Sequence, residues 1–143
     1  MRRHIDKIEG AKHERGYVYN CHYHLIWCTK YRKPLFTTPA LVDEMKNLLY
    51  YVAGLNEVEM EELEVMPDHV QMLISFKPKY AAANVVKALK GGSGRMFLAA
   101  HPDIKTNEFW GGHIWSPNYF MNTAGNMSNE TVRQYIQNQY TKE

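Results

Sequence analysis

Two segments with the alternating pattern of β-strands, at about 58–66 and 69–76, are separated by only Pro67 and Asp68. In the second segment, apolar residues on one face alternate with a more polar set on the other. A turn this short joins antiparallel neighbours, because parallel strands need a crossover of about a dozen residues or more. The chain is therefore expected to contain a β-hairpin in the middle of its sequence.

The sequence before this hairpin predicts a strand and then a helix. The segment 17–30 is rich in aromatic and β-branched residues, which predicts a long strand, and its apolar character on both faces near its end indicates a central position in a sheet. Thr38 can cap a helix that has Pro39 at its first position and that ends near Gly54. Apolar residues follow Pro39 at helical spacing, which supports this interpretation.

After the hairpin the sequence predicts a helix, a strand and a last helix. The helix covers 80–100 and is expected to be interrupted by glycines, the strand covers 113–121, and the last helix begins at the capping residue Ser128 and runs to about Tyr140. The order β-α-β-β-α-β-α predicts an α+β fold. This is a ferredoxin-like, split βαβ antiparallel sheet with helices on one face, to which a C-terminal helix is added.

Composition and the N-terminal residues limit the classes of protein to consider. Residues 1–16 mix basic and acidic side chains without an apolar period, which predicts a flexible N-terminal arm before a single domain at 17–143. No apolar run approaches the roughly 20 residues of a membrane span, and the N-terminus lacks the apolar segment of a signal peptide, so we expect a cytoplasmic protein without membrane contact. The net charge is only +2, so contacts with nucleic acid would depend on local basic clusters.

His69 and Gln71 are the first candidate metal ligands. Two residues apart on a strand, they project from the same face at roughly 6–7 Å, close enough for both to reach one ion. A nitrogen and a neutral amide oxygen suit Mg²⁺ or Mn²⁺ acting on phosphate oxygens, which bring the negative charge that this pair lacks. A structural histidine is the commoner alternative. His22 and His24 have the same spacing and are stronger ligands, but their apolar surroundings favour a place in the core or in contact with the metal ligands, and residue chemistry alone leaves the choice open.

Tyr135 and Gln139 lie four residues apart in the last predicted helix, so they share one face. A phenol with a pKa of about 10 is a poor nucleophile at neutral pH, and a nearby cation would favour its phenolate. Gln139 would then bring a third metal ligand on the same helix. The alternative is that Tyr135 belongs to a packing stripe with Val132 and Ile136.

Five basic residues in two clusters are candidates for contact with DNA: Lys30, Arg32, Lys87, Lys90 and Arg95. Those at 87–95 accompany a glycine-rich segment, which could expose backbone amides to phosphate or could simply separate two helices. Those at 30–32 flank Tyr31, and Trp110 and Trp115 offer further aromatic surface on which unpaired bases could stack. Surface charge beside core aromatic residues is the alternative for this second cluster.

Five blocks of the chain resemble the single-strand tyrosine transposases of the smallest bacterial and archaeal insertion sequences, which belong to the HUH endonuclease superfamily. The resemblance covers about 17–143, and the blocks occur in the same order as in that family. They are YHLIWCTKYRKPLF (23–36), EVMPDHVQMLI (64–74), VVKALKGGSGRMF (85–97), WGGHIWSPNYF (110–120) and VRQYIQNQ (132–139).

This resemblance implies a fold, a substrate and a mechanism. The fold is a ferredoxin-like domain that pairs into a homodimer through its sheet, and the mobile last helix can complete the active site of the partner subunit. The substrate is single-stranded DNA at the end of the element, which carries a small imperfect hairpin. The implied nucleophile is Tyr135, which forms a 5′-phosphotyrosine and leaves a free 3′-OH, with His69 and Gln139 as ligands of Mg²⁺ or Mn²⁺. Because the ester retains the bond energy, no nucleotide cofactor is required.

Gln71 departs from the family pattern, in which a second histidine stands at this position. Some viral replication initiators of the same superfamily have glutamine there, so the departure is compatible with catalysis, although glutamine is a weaker ligand than histidine for most transition metals. Two other functions stay open at this point. The chain could bind hairpin DNA without cutting it, or it could be a ferredoxin-like domain that binds RNA or a small ligand.

Overall fold

The computed structural model describes residues 12–14, 17–19, 22–107, 112–123 and 133–138. In chain order the elements are β1 (Lys12–Glu14), β2 (Tyr17–Tyr19), β3 (His22–Cys28), α1 (Pro39–Leu55), β4 (Glu59–Met66), β5 (His69–Ser75), α2 (Ala82–Ala100), α3 (Pro102–Asn107) and β6 (Phe120–Thr123). Between β3 and α1, Lys30–Arg32 form a 3-10 turn. Residues 133–138 are also helical and form the C-terminal helix.

The main sheet has four antiparallel strands in the order β4-β5-β3-β6. Strands that are consecutive in sequence are joined by a helix, a hairpin and a second helix, which is the split βαβ arrangement of the ferredoxin-like fold. The predicted fold is therefore confirmed. The turn at Pro67 and Asp68 joins β4 to β5 as expected, and β3 occupies an interior position in the sheet.

The two faces of the main sheet have different surroundings. On one face, Val70, Met72 and Ile74 of β5 pack with residues of α1 and α2 in a single hydrophobic core. Side chains alternate along a strand, so His69 and Gln71 project from the opposite face. We call this second face the site face.

Helix α1 begins as its sequence predicts. The side chain of Thr38 accepts a hydrogen bond from the backbone amide of Leu41 at 3.2 Å, and Pro39 follows at the first helical position. Among the described residues, no helix is both long and apolar enough to cross a membrane.

Helix α2 runs unbroken from Ala82 to Ala100, so the expected interruption by glycines is wrong. A Cβ atom at Gly92 would lie only 3.0 Å from the methyl groups of Val52 on α1, and one at Gly94 would lie 3.3 Å from the Trp115 ring. The missing side chains let neighbouring groups approach the helix closely. These two glycines therefore serve packing inside the protein, rather than a phosphate-binding loop.

Three boundaries differ from those predicted. The long strand expected at 17–30 is divided, because β2 pairs with β1 in a separate two-stranded sheet and β3 begins at His22. Residues 12–14, which were expected in a flexible arm, are therefore a strand. The strand expected at 113–121 is β6, which covers only Phe120–Thr123, and Trp115 contributes an isolated bridge to Thr29. The predicted cap Ser128 lies outside the described residues.

Candidate active site

The turn between β4 and β5 orients the imidazole of His69. Its Nδ1 atom lies 2.8 Å from Oδ1 of Asp68, the residue before it. A carboxylate only accepts hydrogen bonds, so Nδ1 carries the proton and donates it. Nε2 then keeps its lone pair, and this is the state in which a histidine can bind a metal ion.

Asp68 is held as a carboxylate. The hydrogen bond from His69 lowers the pKa of Asp68 below its usual value, burial raises it, and the positive charge of Arg32 lowers it further. The second oxygen of the carboxylate, Oδ2, lies 3.4 Å from Nε of Arg32. The carboxylate of Asp68 thus contacts both the candidate metal ligand His69 and the guanidinium of Arg32.

The segment after β3 holds this turn in place through backbone hydrogen bonds. The amide of the fully buried Thr29 donates to the carbonyl of Asp68 at 2.9 Å, and the amide of Leu35 donates to that of Pro67 at 2.8 Å. Within this segment Tyr31 and Arg32 have positive φ angles of 57° and 54°. Such conformations cost non-glycine residues about 1–3 kcal/mol and persist only where the surroundings impose them.

Gln71 lies on the site face beside His69. Its register partners are Ile26 on β3 and Glu64 on β4, and together with His24 these residues line a small cavity of about 90 Å³. The structure therefore places the predicted pair His69 and Gln71 on one face, with space next to the glutamine side chain.

Tyr135 also lies on the site face. Its ring centroid is 5.8 Å from that of Phe120 on β6, and Phe120 pairs with Ile26, whose neighbours Leu25 and Trp27 point into the core. The hydroxyl oxygen of Tyr135 is buried. The C-terminal helix consequently packs against the same face that carries His69 and Gln71.

A hydrogen bond and an ion pair of Arg32 connect the C-terminal helix to the turn that precedes His69. Nη1 of Arg32 donates a hydrogen bond to the carbonyl of Ile136 at 3.3 Å, while Nε of the same guanidinium faces Asp68. Ile136, the residue after Tyr135, is thus linked to the imidazole of His69 through the side chains of Arg32 and Asp68. Gln139, the predicted third ligand, lies outside the described residues.

The donor set on the site face fits a hard divalent cation. In the part of the chain that the structure describes, no group of three or more His, Cys, Asp or Glu side chains is arranged to hold a metal ion. His69 offers one nitrogen and Gln71 one amide oxygen, so other oxygen donors would be needed. Mg²⁺ and Mn²⁺ often take such oxygens from a bound phosphate and from water.

A basic groove lies elsewhere in the molecule, between α2 and the segment 112–119. It encloses about 680 Å³, and its lining includes the positively charged or titratable side chains Lys87, Lys90, Arg95, Lys105 and His113. The ammonium of Lys90 is bonded to the carbonyls of Ser116 and Asn118, so it also fastens this segment to α2. The chain thus brings three of the predicted DNA-binding residues together and adds two that the sequence did not suggest.

Comparison with known proteins identifies the family. Residues 17–139 match the family model described as "Transposase IS200 like". The chain belongs to the IS200-like transposases. The ISDra2 transposase TnpA of Deinococcus radiodurans is 42% identical over 132 residues, which cover 92% of this chain and 93% of that protein. The IS200 transposase of Salmonella typhimurium is 26% identical over 121 residues, covering 85% of this chain and 78% of that protein.

Two solved structures resemble this IS200-like transposase. A crystal structure of a transposase from Deinococcus radiodurans R1 superposes with a TM-score of 0.81 at 40% identity, covering 90% of this chain and 98% of that one. A REP-associated tyrosine transposase bound to a REP hairpin gives a TM-score of 0.51 at 14% identity, covering 87% of this chain and 67% of that one. The second likeness shows the shared fold alone.

The alternative histidine pair, His22 and His24, lies on the site face of this IS200-like transposase. His22 and His24 pair with Ser75 and Leu73 of β5, so they lie half-buried on the site face rather than in the apolar core. A place in the apolar core is therefore excluded, because the apolar residues of β3 alternate with these histidines, whereas a place beside the candidate metal ligands agrees with His24, which lines the cavity next to Gln71. Nδ1 of His22 lies 3.0 Å from a carboxylate oxygen of Glu61, so this imidazole already has an acidic partner.

The aromatic residues of the transposase divide into core and surface. Trp115 is buried, donates from Nε1 to the hydroxyl of Ser93 at 3.1 Å and packs edge-on against Trp27, so it belongs to the core. Tyr31 is 51% exposed, and the Lys30 ammonium lies 5.4 Å from its ring centre. Of the predicted base-stacking aromatics among the described residues, Tyr31 is exposed and Trp115 is not, and Trp110 lies outside those residues.

Proposed function

We propose that this IS200-like transposase cleaves and rejoins single-stranded DNA at the ends of an insertion sequence, with Tyr135 as the nucleophile. The observation that carries the proposal is the docking of the Tyr135 helix on the site face, tied through Arg32 and Asp68 to His69. A nucleophile and a candidate metal ligand on one face are the two components that a metal-assisted phosphoryl transfer requires.

In the proposed reaction the phenolic oxygen of Tyr135 attacks a backbone phosphorus of the DNA. The new O–P bond forms as the bond from phosphorus to the 3′ oxygen breaks, and the phenolic proton ends on that oxygen through solvent. The products are a 5′-phosphotyrosine and a free 3′-OH. A 3′-OH attacking the phosphotyrosine reverses the exchange and releases Tyr135. One phosphodiester is exchanged for another in each step, so no nucleotide cofactor is consumed.

The site would hold Mg²⁺ or Mn²⁺ through Nε2 of His69 and the side-chain oxygen of Gln71, with Gln139 as the ligand from the helix. The bound ion would supply positive charge next to the phosphate and the phenolate. The hydrogen bond to Asp68 supports this role of His69, because it fixes both the tautomer and the orientation of the ring.

The basic groove is the proposed binding surface for the hairpin of the DNA end. Its cations suit a folded phosphate backbone, and a fold relative has been solved with a REP hairpin bound. Lys30 and the exposed ring of Tyr31 lie next to the Arg32 contact and suit the unpaired strand that leads to the cleaved phosphate. Assembly as a homodimer is part of the same proposal.

The test is a covalent adduct assay. Single-stranded oligonucleotides covering the two DNA flanks of the gene that encodes this chain are mixed with the protein in Mn²⁺, in Mg²⁺ or in excess EDTA, and the products are separated under denaturing conditions. We expect a protein–DNA adduct in both metals and none in EDTA. Specific retention of a hairpin without any adduct at any metal concentration would contradict the cleavage activity.

That last outcome defines the second candidate function, a protein that binds hairpin DNA without cutting it. The observation that favours it is Gln71, because the site then has one strong protein ligand where a histidine pair would give two. A generic RNA-binding domain is not retained, since the family match covers residues 17–139.

Reversing two charges in the groove should weaken hairpin binding. Lys87→Glu with Arg95→Glu removes two exposed cations that line the groove, so affinity should fall by about 10-fold or more. The salt dependence of binding should become shallower by about 0.7–0.9 for each phosphate that the protein no longer neutralises. Titration of a labelled hairpin at several salt concentrations measures both effects. The control Lys46→Glu reverses one charge on α1, outside the groove, and weakening by this control equal to that of Lys87→Glu alone would refute a specific role of the groove.

A further inference from the structure

We propose that Arg32 and Asp68 are positioning residues that dock the nucleophile helix onto the metal-ligand turn. We call the set formed by Arg32, Asp68 and the carbonyl of Ile136 the latch. The inference deepens the proposed function, on which it rests for the roles of His69 and Tyr135. It assigns to Arg32 a function inside the protein, instead of the DNA contact suggested by its place in a basic cluster.

The two oxygens of Asp68 divide their contacts between the two parts of the site. Oδ1 accepts from the His69 ring at 2.8 Å, and Oδ2 lies 3.4 Å from Nε of Arg32. A carboxyl group is rigid and planar, so rotating it to improve one contact disturbs the other. The direction of the His69 ring is thereby coupled to the position of the guanidinium.

The guanidinium of Arg32 carries this coupling to the helix. Nε faces Asp68 while Nη1 donates to the carbonyl of Ile136 at 3.3 Å. The guanidinium is a planar fork with fixed angles between its donors, so the two contacts set its orientation together. The side chains of Arg32 and Asp68 are only 32% and 26% exposed, which shields their interaction from solvent more than at a fully exposed pair.

The backbone conformation at Arg32 supports its role in positioning the C-terminal helix. The residue has a φ of 54° and follows Tyr31, which has a φ of 57°, within a turn anchored to the carbonyl of Asp68 by Thr29. A conformation that is unfavourable for arginine is thus maintained where its side chain meets the turn and the helix. The carbonyl that it binds belongs to the residue after Tyr135, so the latch sets where the phenol lies along the site face.

Lysine cannot replace arginine here, because a single ammonium group lacks the fork that reaches Asp68 and Ile136 at defined angles. We therefore expect Arg32→Lys and Arg32→Gln to have similar effects. Hydrogen exchange of amides in 133–138, measured on the protein without DNA or metal, should become about 10-fold faster in both variants. Adduct formation should slow by about 10–100-fold, while the affinity for a labelled hairpin stays unchanged.

A double-mutant cycle separates a latch from two independent structural effects. Asp68→Asn should also speed exchange in 133–138, and the double variant with Arg32→Gln should be no faster than the more affected single variant. Lys79→Gln is the matched control, since it removes an exposed cation beyond the other end of β5 and should leave exchange in 133–138 unchanged.

The outcomes distinguish this inference from the proposed function. Unchanged exchange in 133–138 together with weaker DNA binding by Arg32→Gln would overturn the latch and return Arg32 to a phosphate contact. Additive effects in the cycle would also overturn it. If the native protein forms no adduct but the exchange results are as expected, the inference about the latch holds and the proposed cleavage activity is refuted.

Discussion

Replacing Tyr135 by phenylalanine should lower the rate of covalent adduct formation by about 1000-fold or more, because the variant lacks the oxygen that would form the bond to phosphorus. The ring that packs on Phe120 remains, so the C-terminal helix should still dock. Loss of the buried hydroxyl should change the free energy of unfolding by no more than about 1.5 kcal/mol. The rate of adduct formation, hydrogen exchange of amides in 133–138 and thermal unfolding, measured on the same preparation, check these three expectations.

The matched control for this variant is Tyr51→Phe. Tyr51 is 55% exposed on α1, which belongs to the layer on the opposite face of the sheet. Its replacement should leave the adduct yield unchanged. If Tyr135→Phe forms adduct at the native rate, Tyr135 is not the nucleophile and the proposed chemistry has to be abandoned.

Replacing Gln71 by histidine should have the second largest effect. An imidazole next to His69 would supply a second strong nitrogen ligand on the site face, so Mn²⁺ should bind about 10-fold more tightly or better. The small cavity beside Gln71 offers room for the new ring. Calorimetric titration of the free protein with Mn²⁺ measures the affinity, and the adduct assay at limiting Mn²⁺ measures its effect on cleavage.

Gln71→Leu provides the reference for that experiment, since it has similar bulk and no donor. It should bind Mn²⁺ more weakly than the native protein. Equal Mn²⁺ affinity in the native protein and both variants would show that residue 71 is not a ligand. If the native protein forms no adduct and Gln71→His does, the chain is a hairpin-binding protein with an impaired site.

The order of elements in the main sheet was predictable because its signals are local. Pro67 and Asp68 leave room only for a hairpin, and the Thr38 hydroxyl caps α1 as its sequence indicates. The expected break at the glycines of α2 was wrong, because a glycine can mark either a helix break or a close contact. At Gly92 the close contact is with Val52, which lies on a different helix and so could not be recognised from the local sequence. Likewise, β2 separates from β3 because it pairs with β1.

The candidate site was only partly visible in the sequence. The shared face of His69 and Gln71 follows from strand geometry, and the choice of His69 over His22 depended on a family resemblance. By contrast, the hydrogen bond from Arg32 to Ile136 joins residues that are 104 positions apart, and only the fold brings them together. Lys105 and His113 share a groove with α2 only because the fold brings them together, so the sequence did not indicate this.

Chemical identification of the residue linked to DNA tests the central claim most directly. The adduct formed in Mn²⁺ is digested with nuclease and protease, and the peptide that retains a nucleotide is sequenced by mass spectrometry. The chain has ten tyrosines, so the assignment discriminates among real alternatives. The result predicted here is a nucleotide joined through its 5′-phosphate to Tyr135, and no such product when His69 is replaced by alanine. A nucleotide on any other residue, or an adduct whose yield is indifferent to His69→Ala, would contradict a shared site of the imidazole and the phenol.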